Sequence, residues 1–479
     1  MKSKNISLFQ QFGVLAIAIS GSLAAGGVAA QASPANPAGE IEYSRGAAAA
    51  QKAGQPQRLI GPGAKIEAGE TLSTSADSFA ILKLNDGTKM TLRPNTTMRI
   101  DEFVVNDATK PDSGVFNLLR GGLRVVTGLI NKRNPNAARV TTATATVGIR
   151  GTDFDVRLCG SECAAENRRL AQAGRRAEPN APQASARVAL TTTAITALQV
   201  DGVRRSVVQG GAVYPGDTLE TAMQGHAVLV FRDDTKVTVQ SGTRFRVEEF
   251  VYDKANPGVG AVSFNLLKGG IRALTGLIAK AQPRNVRVST PTATVGIRGT
   301  GFDLVCEGRC AGEAALAAAR RDCMLVSTWQ GETQVQENGS DGSTGMPVQT
   351  GQTACQDPGM SPSLLAAQPD FMRDNLAPRP DTVNASADTF FAQTDIEVDA
   401  GLFVTVRDGH VNVATSGGSS VDLGRGETSF VNVTGTLISR PNLTPIFLDA
   451  DPTPRPDQPI RLLGGDTGVI VRPAQVCRR

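Results

Sequence analysis

The stretch TATVGIRGTDFD, from Thr144 to Asp155, returns as TATVGIRGTGFD from Thr292 to Asp303. A chain that repeats a segment with one changed letter is built from one module used twice. Alternating Thr, Val and Ile predict a strand, because branched side chains suit a pleated, half-buried surface. The Gly148-Ile149-Arg150-Gly151 step predicts a turn or a close-packed kink. The pattern carries no obvious catalytic group, so it constrains architecture more than chemistry.

The repeat extends well beyond this signature. Gly69 to Leu72 matches Gly216 to Leu219, and Asp86 with Thr88-Lys89 matches Asp233 with Thr235-Lys236. Glu102-Phe103-Val104 matches Glu249-Phe250-Val251. Phe116 to Leu119, followed by Gly121-Gly122, matches Phe264 to Leu267, followed by Gly269-Gly270. The offset stays near 147 residues, too long for one solenoid rung, and implies a tandem domain duplication.

Within a copy the period is two. Ala80, Leu82 and Leu84 face one way, the turn Asn85-Asp86-Gly87 follows, and Met90 and Leu92 continue the apolar face. Lys89, Thr91 and Arg93 take the other side. Asp-Gly between alternating runs is a hairpin signal, since Gly accepts positive φ without steric cost. In the second copy Asp234 stands in for that Gly, and Asp tolerates the left-handed region better than most residues.

Segments of other character interrupt the strands. Ala164 to Ala186 and Ala311 to Arg321 are rich in Ala and Arg and read as short helices. After a Pro-containing connector a third β unit follows. There Leu402, Val404 and Val406 alternate, Arg407-Asp408-Gly409 reads as a turn, and Val411 and Val413 continue. This unit is like the tail end of a module. From Pro441 onward the tail reads as Pro-rich and irregular. The expected boundaries are a signal peptide over 1–32, a first domain over 45–165 and a helical linker over 166–187. A second domain follows over 188–357, then a connector over 358–394, a C-terminal β unit over 395–440 and a tail over 441–479.

The first residues read as an export signal. Lys2 and Lys4 precede an uncharged run from Phe12 to Ala30, and Ala30-Gln31-Ala32 is a small-x-small cleavage site. The chain is then expected in the periplasm or outside the cell, touching a membrane only if that segment is retained. Seven cysteines suit such a compartment. Cys159 and Cys163 follow the first signature, and Cys306 and Cys310 follow the second at the same spacing. Each pair suggests a small disulfide loop, and no His lies near to favour zinc. Cys323 and Cys355 flank a strand–loop–strand stretch and could bridge its ends. Connectivity is not decided by sequence. Cys477 is left over.

Both copies resemble the FecR domain, named for a periplasmic regulator of iron–citrate uptake. The resemblance rests on Gly69 to Leu72, Asp86 to Leu92, Gly121 to Arg124 and Val147 to Asp155. In the second copy it rests on Gly216 to Leu219, Asp233 to Val239, Gly269 to Arg272 and Val295 to Asp303. It covers about half the mature chain and implies an exported β module for protein contact or signalling. The named regulator holds a sigma factor through a cytoplasmic segment. Here about eleven residues precede the apolar run, so a direct anti-sigma role is not expected. The expected fold is mainly β. It comprises two tandem FecR-like β domains, as β-roll, solenoid-like or sandwich units, plus a smaller C-terminal β-rich unit and short Ala-rich helices.

The motif residues Gly148, Arg150, Gly151, Thr152, Phe154 and Asp155, and their partners Gly296, Arg298, Gly299, Thr300, Phe302 and Asp303, read as structural. Arg150 and Arg298 are expected to bond turn carbonyls or to pair with Asp155 and Asp303, rather than to grip an anionic ligand. The glycines form no phosphate loop, because no Lys-Ser/Thr follows and no helix opens there. His226 and His410, the two histidines, have no Ser or Cys partner motif. Asp86, Asp233 and Asp408 sit by turns, where Asp mostly caps its own backbone. No metal or cofactor pattern is present. A near-balanced charge argues against nucleic acid, and 4% aromatics argue against sugar or base stacking. The reading is an exported, non-enzymatic interaction or signalling scaffold whose partners are envelope proteins such as a receptor or membrane sensor. The rival readings are a glycan-binding module and an envelope hydrolase.

Overall fold

The computed structural model describes residues 37–456, apart from 108, 135–136, 181–183, 201, 203, 315–321, 340–344, 395–397 and 450–452. The signal segment, most of the second Ala-rich stretch and Cys477 lie outside the described residues. Two 15-stranded sheets hold the two copies.

Each sheet is rolled into two layers by long strands that serve both. In the first copy, Ser113–Val126 pairs through residues 113–120 with Thr97–Val104 and, in parallel, with Ala138–Thr141. Its residues 121–126 pair with Lys89–Leu92 and with the second half of Ala145–Cys159. The change of layer falls at Gly121, with φ of 81°. Ala145–Cys159 makes the same switch at Gly151, with φ of 65°. Glycine occupies such positions because a Cβ makes positive φ costly. The signature kink is thus a β-bulge within one strand. The second copy repeats this in Ala261–Leu274 and Ala293–Cys306, with Gly299 also at 65°.

The period-two side chains meet between the layers. Leu72, Met98, Phe116, Val147 and Ile149 of one layer share a fully buried cluster with Leu82, Leu92, Val125, Phe154 and Val156 of the other. The second copy has its own cluster around Phe231, Phe245, Phe264 and Phe302. The two hairpins pair as their sequences predict, with Leu82 opposite Met90 and Leu229 opposite Val237. Asp234 adopts φ of 63° at the second turn. Asp86 and Asp233 do more than cap their turns. Each accepts from the following Thr backbone and hydroxyl, and from the amide of Ile130 or Ile278 in a five-residue helix.

The C-terminal β unit completes the first sheet. Gly401–Thr415 lies antiparallel along the whole signature strand, from Ala145 opposite Thr415 to Cys159 opposite Gly401. Met324–Glu337 takes the same place in the second copy. The second module is therefore inserted within the first. Arg407-Asp408-Gly409 is not a turn, as the sequence suggested. It is a bulge in a continuous strand, matched by Gly331 in the second copy. The tail is only partly irregular as far as it is described, for residues 453–456 carry no helix or strand. Leu443–Thr444 pairs with Glu178–Pro179, and Ile446–Asp449 forms a helical turn.

The inserted module contacts the C-terminal hairpins through buried polar groups. Arg187 pairs with Glu427 at 3.3 Å, with side chains 2% and 1% exposed. Asn180 bonds the backbone of Thr428 in both directions, and the Tyr214 ring packs 4.4 Å from that of His410. Three disulfides form: Cys159–Cys163, Cys306–Cys310 and Cys323–Cys355. The first closes onto the helix Ser161–Gln172.

Candidate functional site

The signature ends on an aspartate that points away from the core, and there the two copies concentrate charge. Phe154 and Phe302 fill the cores. By alternation Asp155 and Asp303 emerge on the opposite face of the sheet. Asp155 nevertheless is buried and meets three arginines. Arg93 lies at 3.1 Å, Arg124 at 3.1 Å and Arg407 at 2.8 Å. Burial alone would raise the Asp155 carboxyl, but the attraction of Arg124, Arg93 and Arg407 outweighs it and holds its pKa below the usual value.

The second copy rebuilds this centre with fewer charges. Arg272 matches Arg124 and binds Asp303 through two nitrogens, at 3.1 and 3.2 Å. Gln240 stands where Arg93 stood, and Trp329 where Arg407 stood. Trp329 donates its Nε1 to Asp303 at 3.3 Å. Burial raises the Asp303 pKa, and Arg272 lowers it too little to compensate. The departure at Asp153 and Gly301 also has a cause. A Cβ at Gly301 would sit 2.1 Å from the Trp329 ring, so the tryptophan requires glycine beneath it.

Both faces are covered by straps of the chain itself. Over the first, Arg124 donates to the carbonyls of Leu448 and Thr453, and Thr91 to that of Pro454. Arg407 pairs with Asp449, and Arg455 with Asp153. Over the second, Arg272 donates to the carbonyls of Asn375 and Ala377, and Thr238 to that of Pro378. The Arg379 guanidinium lies 4.1 Å from the Trp329 ring centre. This cover explains why Thr91 and Arg93, on the side away from the core, are fully buried.

The other signature residues are structural in their contacts. The Thr152 and Thr300 amides donate to the hydroxyl oxygens of Thr127 and Thr275. Gly148 and Gly296 meet neighbours only at ordinary contact distance, and nothing in the structure explains glycine there. Arg298 does not take Asp303. It pairs across the ladder with Glu332 at 3.2 Å, more than half exposed, because its strand position faces solvent. The backbone of Arg150 pairs with that of His410, and its side chain lies outside the described residues. His226 is half-buried ahead of Ala227–Phe231, and burial lowers its pKa.

No group of three or more His, Cys, Asp or Glu is placed to hold a metal among the described residues. A hollow of about 280 Å³ is lined by Ala47 to Ala49, Gln57, Arg58, Leu59, Ser73 and Ser75. Its one ionisable group, Arg58, is held by Glu70 at 2.8 Å. Among the described residues no helix is long and apolar enough to cross a membrane.

The model of the FecR protein family matches residues 70–167 and 217–332. The chain carries two FecR-like domains in tandem. Each match runs through its own module's turn aspartate, glycine pair and signature. No curated protein matches the chain. Two crystal structures of a candidate anti-sigma factor from Parabacteroides distasonis ATCC 8503 are similar at 16% identity and a TM-score of 0.24. The similarity covers 33% of this chain and 62% of that one. The FecR matches stop short of both straps and of the C-terminal strands.

Sequence reading missed Arg93, Arg124, Arg272, Arg407 and Trp329 as a set, because each is far from the others in the chain. One signal was available. Ala377-Pro378-Arg379-Pro380-Asp381 is echoed by Thr453-Pro454-Arg455-Pro456-Asp457.

Proposed function

We propose that this chain is an exported, non-catalytic scaffold for protein interaction in cell-envelope signalling. The observation that carries the reading is the pair of FecR-like domains. The export signal read from Lys2 to Ala32 agrees with it. The build of the molecule supports it as well. The buried Asp155 is satisfied internally by three arginines, and Asp303 by Arg272 and Trp329, which is the pattern of a stable platform. The one tryptophan has a ring face taken by Arg379, which disfavours sugar stacking.

The test is cross-linking in cells. A photo-reactive residue is placed on exposed positions of the full chain, and the adducts are identified by mass spectrometry. The expected result is a defined envelope protein attached at a limited set of positions. Absence of any specific adduct, together with turnover of an envelope substrate by the purified chain, would overturn the reading. Cell fractionation with the intact chain tests export separately.

A further inference from the structure

The two straps carry the same short motif and lie on the same face. Each places the residue before its first proline under a module arginine, Arg124 over Thr453 and Arg272 over Ala377. Each places the proline carbonyl over a threonine hydroxyl, Thr91 at 3.1 Å and Thr238 at 2.8 Å. These contacts read main-chain oxygens. Proline suits them, because it brings no N–H that the groove would have to satisfy and is already near the extended conformation. The motif arginine is then read by a side chain, and the two modules use different chemistry. Asp153 offers a carboxylate to Arg455 at 3.4 Å, and Trp329 offers its ring face to Arg379.

A strap that served only to cover a sheet would need any apolar or polar filler. Retention of Pro-Arg-Pro in both copies, with matched contacts at the residue before it and at its first proline, marks recognition of a sequence. We infer that the outer face of each module is a groove for an extended x-Pro-Arg-Pro segment, held in cis by the chain's own strap and open to a partner protein that presents the same segment. This rests on the scaffold reading and names the partner's chemistry. Because a tethered strap competes, only the fraction of molecules with an open groove binds the partner.

The test uses the full chain and a labelled synthetic peptide of residues 375–382. In a triple variant, Pro378→Gly, Arg379→Ser and Pro380→Gly remove the motif of the second strap without shortening the chain. Peptide anisotropy reports binding, and Trp329 fluorescence reports the groove. The triple variant is expected to bind the peptide at least about tenfold more tightly than the unaltered chain, as release of a competing tether requires. Adding Arg272→Ala to the triple variant should abolish the gain. If the triple variant does not fold, Arg379→Ala alone, which keeps both prolines, replaces it. A folded variant that ignores the peptide, or takes a scrambled peptide equally well, overturns the groove and leaves the scaffold reading standing. Binding by the groove with no envelope adduct in cells does the reverse.

Discussion

The substitution Asp155→Asn keeps the side chain's shape and removes one charge from beneath three arginines. Arg93 is fully buried, and the Arg124 and Arg407 side chains are 7% and 17% exposed. Removing one partner of a buried ion pair costs about 3–5 kcal/mol, because the remaining charge stays desolvated without compensation. Three stranded cations do not triple that cost. Arg407 keeps Asp449, and Arg93 and Arg124 keep the carbonyls of Phe447, Leu448 and Thr453. The expected loss therefore stays near about 3–5 kcal/mol. Asp303→Asn strands a single arginine that also holds Asn375 and Ala377 carbonyls, and the asparagine oxygen can still accept from Trp329. Its expected loss is smaller than that of Asp155→Asn, because burial already disfavours the ionised Asp303 in the folded chain and Arg272 offsets that only in part. The assay is urea unfolding of the full chain, followed by far-UV circular dichroism for both modules and by Trp329 fluorescence for the second. A loss below about 1 kcal/mol for Asp155→Asn, the range of an exposed pair, would refute the buried-charge reasoning. So would a larger loss for Asp303→Asn.

Other consequences follow from the same contacts. Asp155 titrates below its unfolded value, so its stabilisation is present above about pH 4 and disappears as pH falls through the folded pKa. Asp303 titrates above its unfolded value, so its contribution is complete below about pH 4 and is lost as pH rises through the folded pKa. Urea midpoints from pH 3 to 6 should therefore change slope in opposite senses in the two asparagine variants. Removing Cys323–Cys355 frees a 32-residue separation and should cost about 4 kcal/mol, against about 2 kcal/mol for Cys159–Cys163, by loop entropy. Paired Cys→Ser variants measured by thermal unfolding check that order. Glu427→Gln leaves Arg187 buried without its anion and should cost about 3–5 kcal/mol, read as faster hydrogen exchange at Ala186–Thr191 and Thr428–Asn432.

Much of the fold is legible locally. Alternation at Ala80 to Leu92, Asp86-Gly87 and Asp234 at the turns, and the twice-written signature follow from steric rules that act over a few residues. The spacing of Cys159 with Cys163 is legible for the same reason. The meaning of Arg407-Asp408-Gly409 was not, because a positive-φ glycine serves a turn and a bulge alike. Only the neighbouring strand tells them apart. Arg298 could not be assigned from its spacing to Asp303, since which face a strand residue takes after a bulge depends on the bulge itself.

By itself the sequence determined that a β module is used twice, where its Asp86 and Asp233 hairpin turns lie, and that its small cysteine loops follow each signature. The tertiary structure alone decided that the second module interrupts the first, because Gly401–Thr415 finds the signature strand Ala145–Cys159 across the whole inserted domain. It also decided that Asp155 and Asp303 are buried charge centres rather than surface residues. Their arginines, and the straps that seal them, come from distant parts of the chain. Burial is a property of what folds back over a residue, and no local pattern records that.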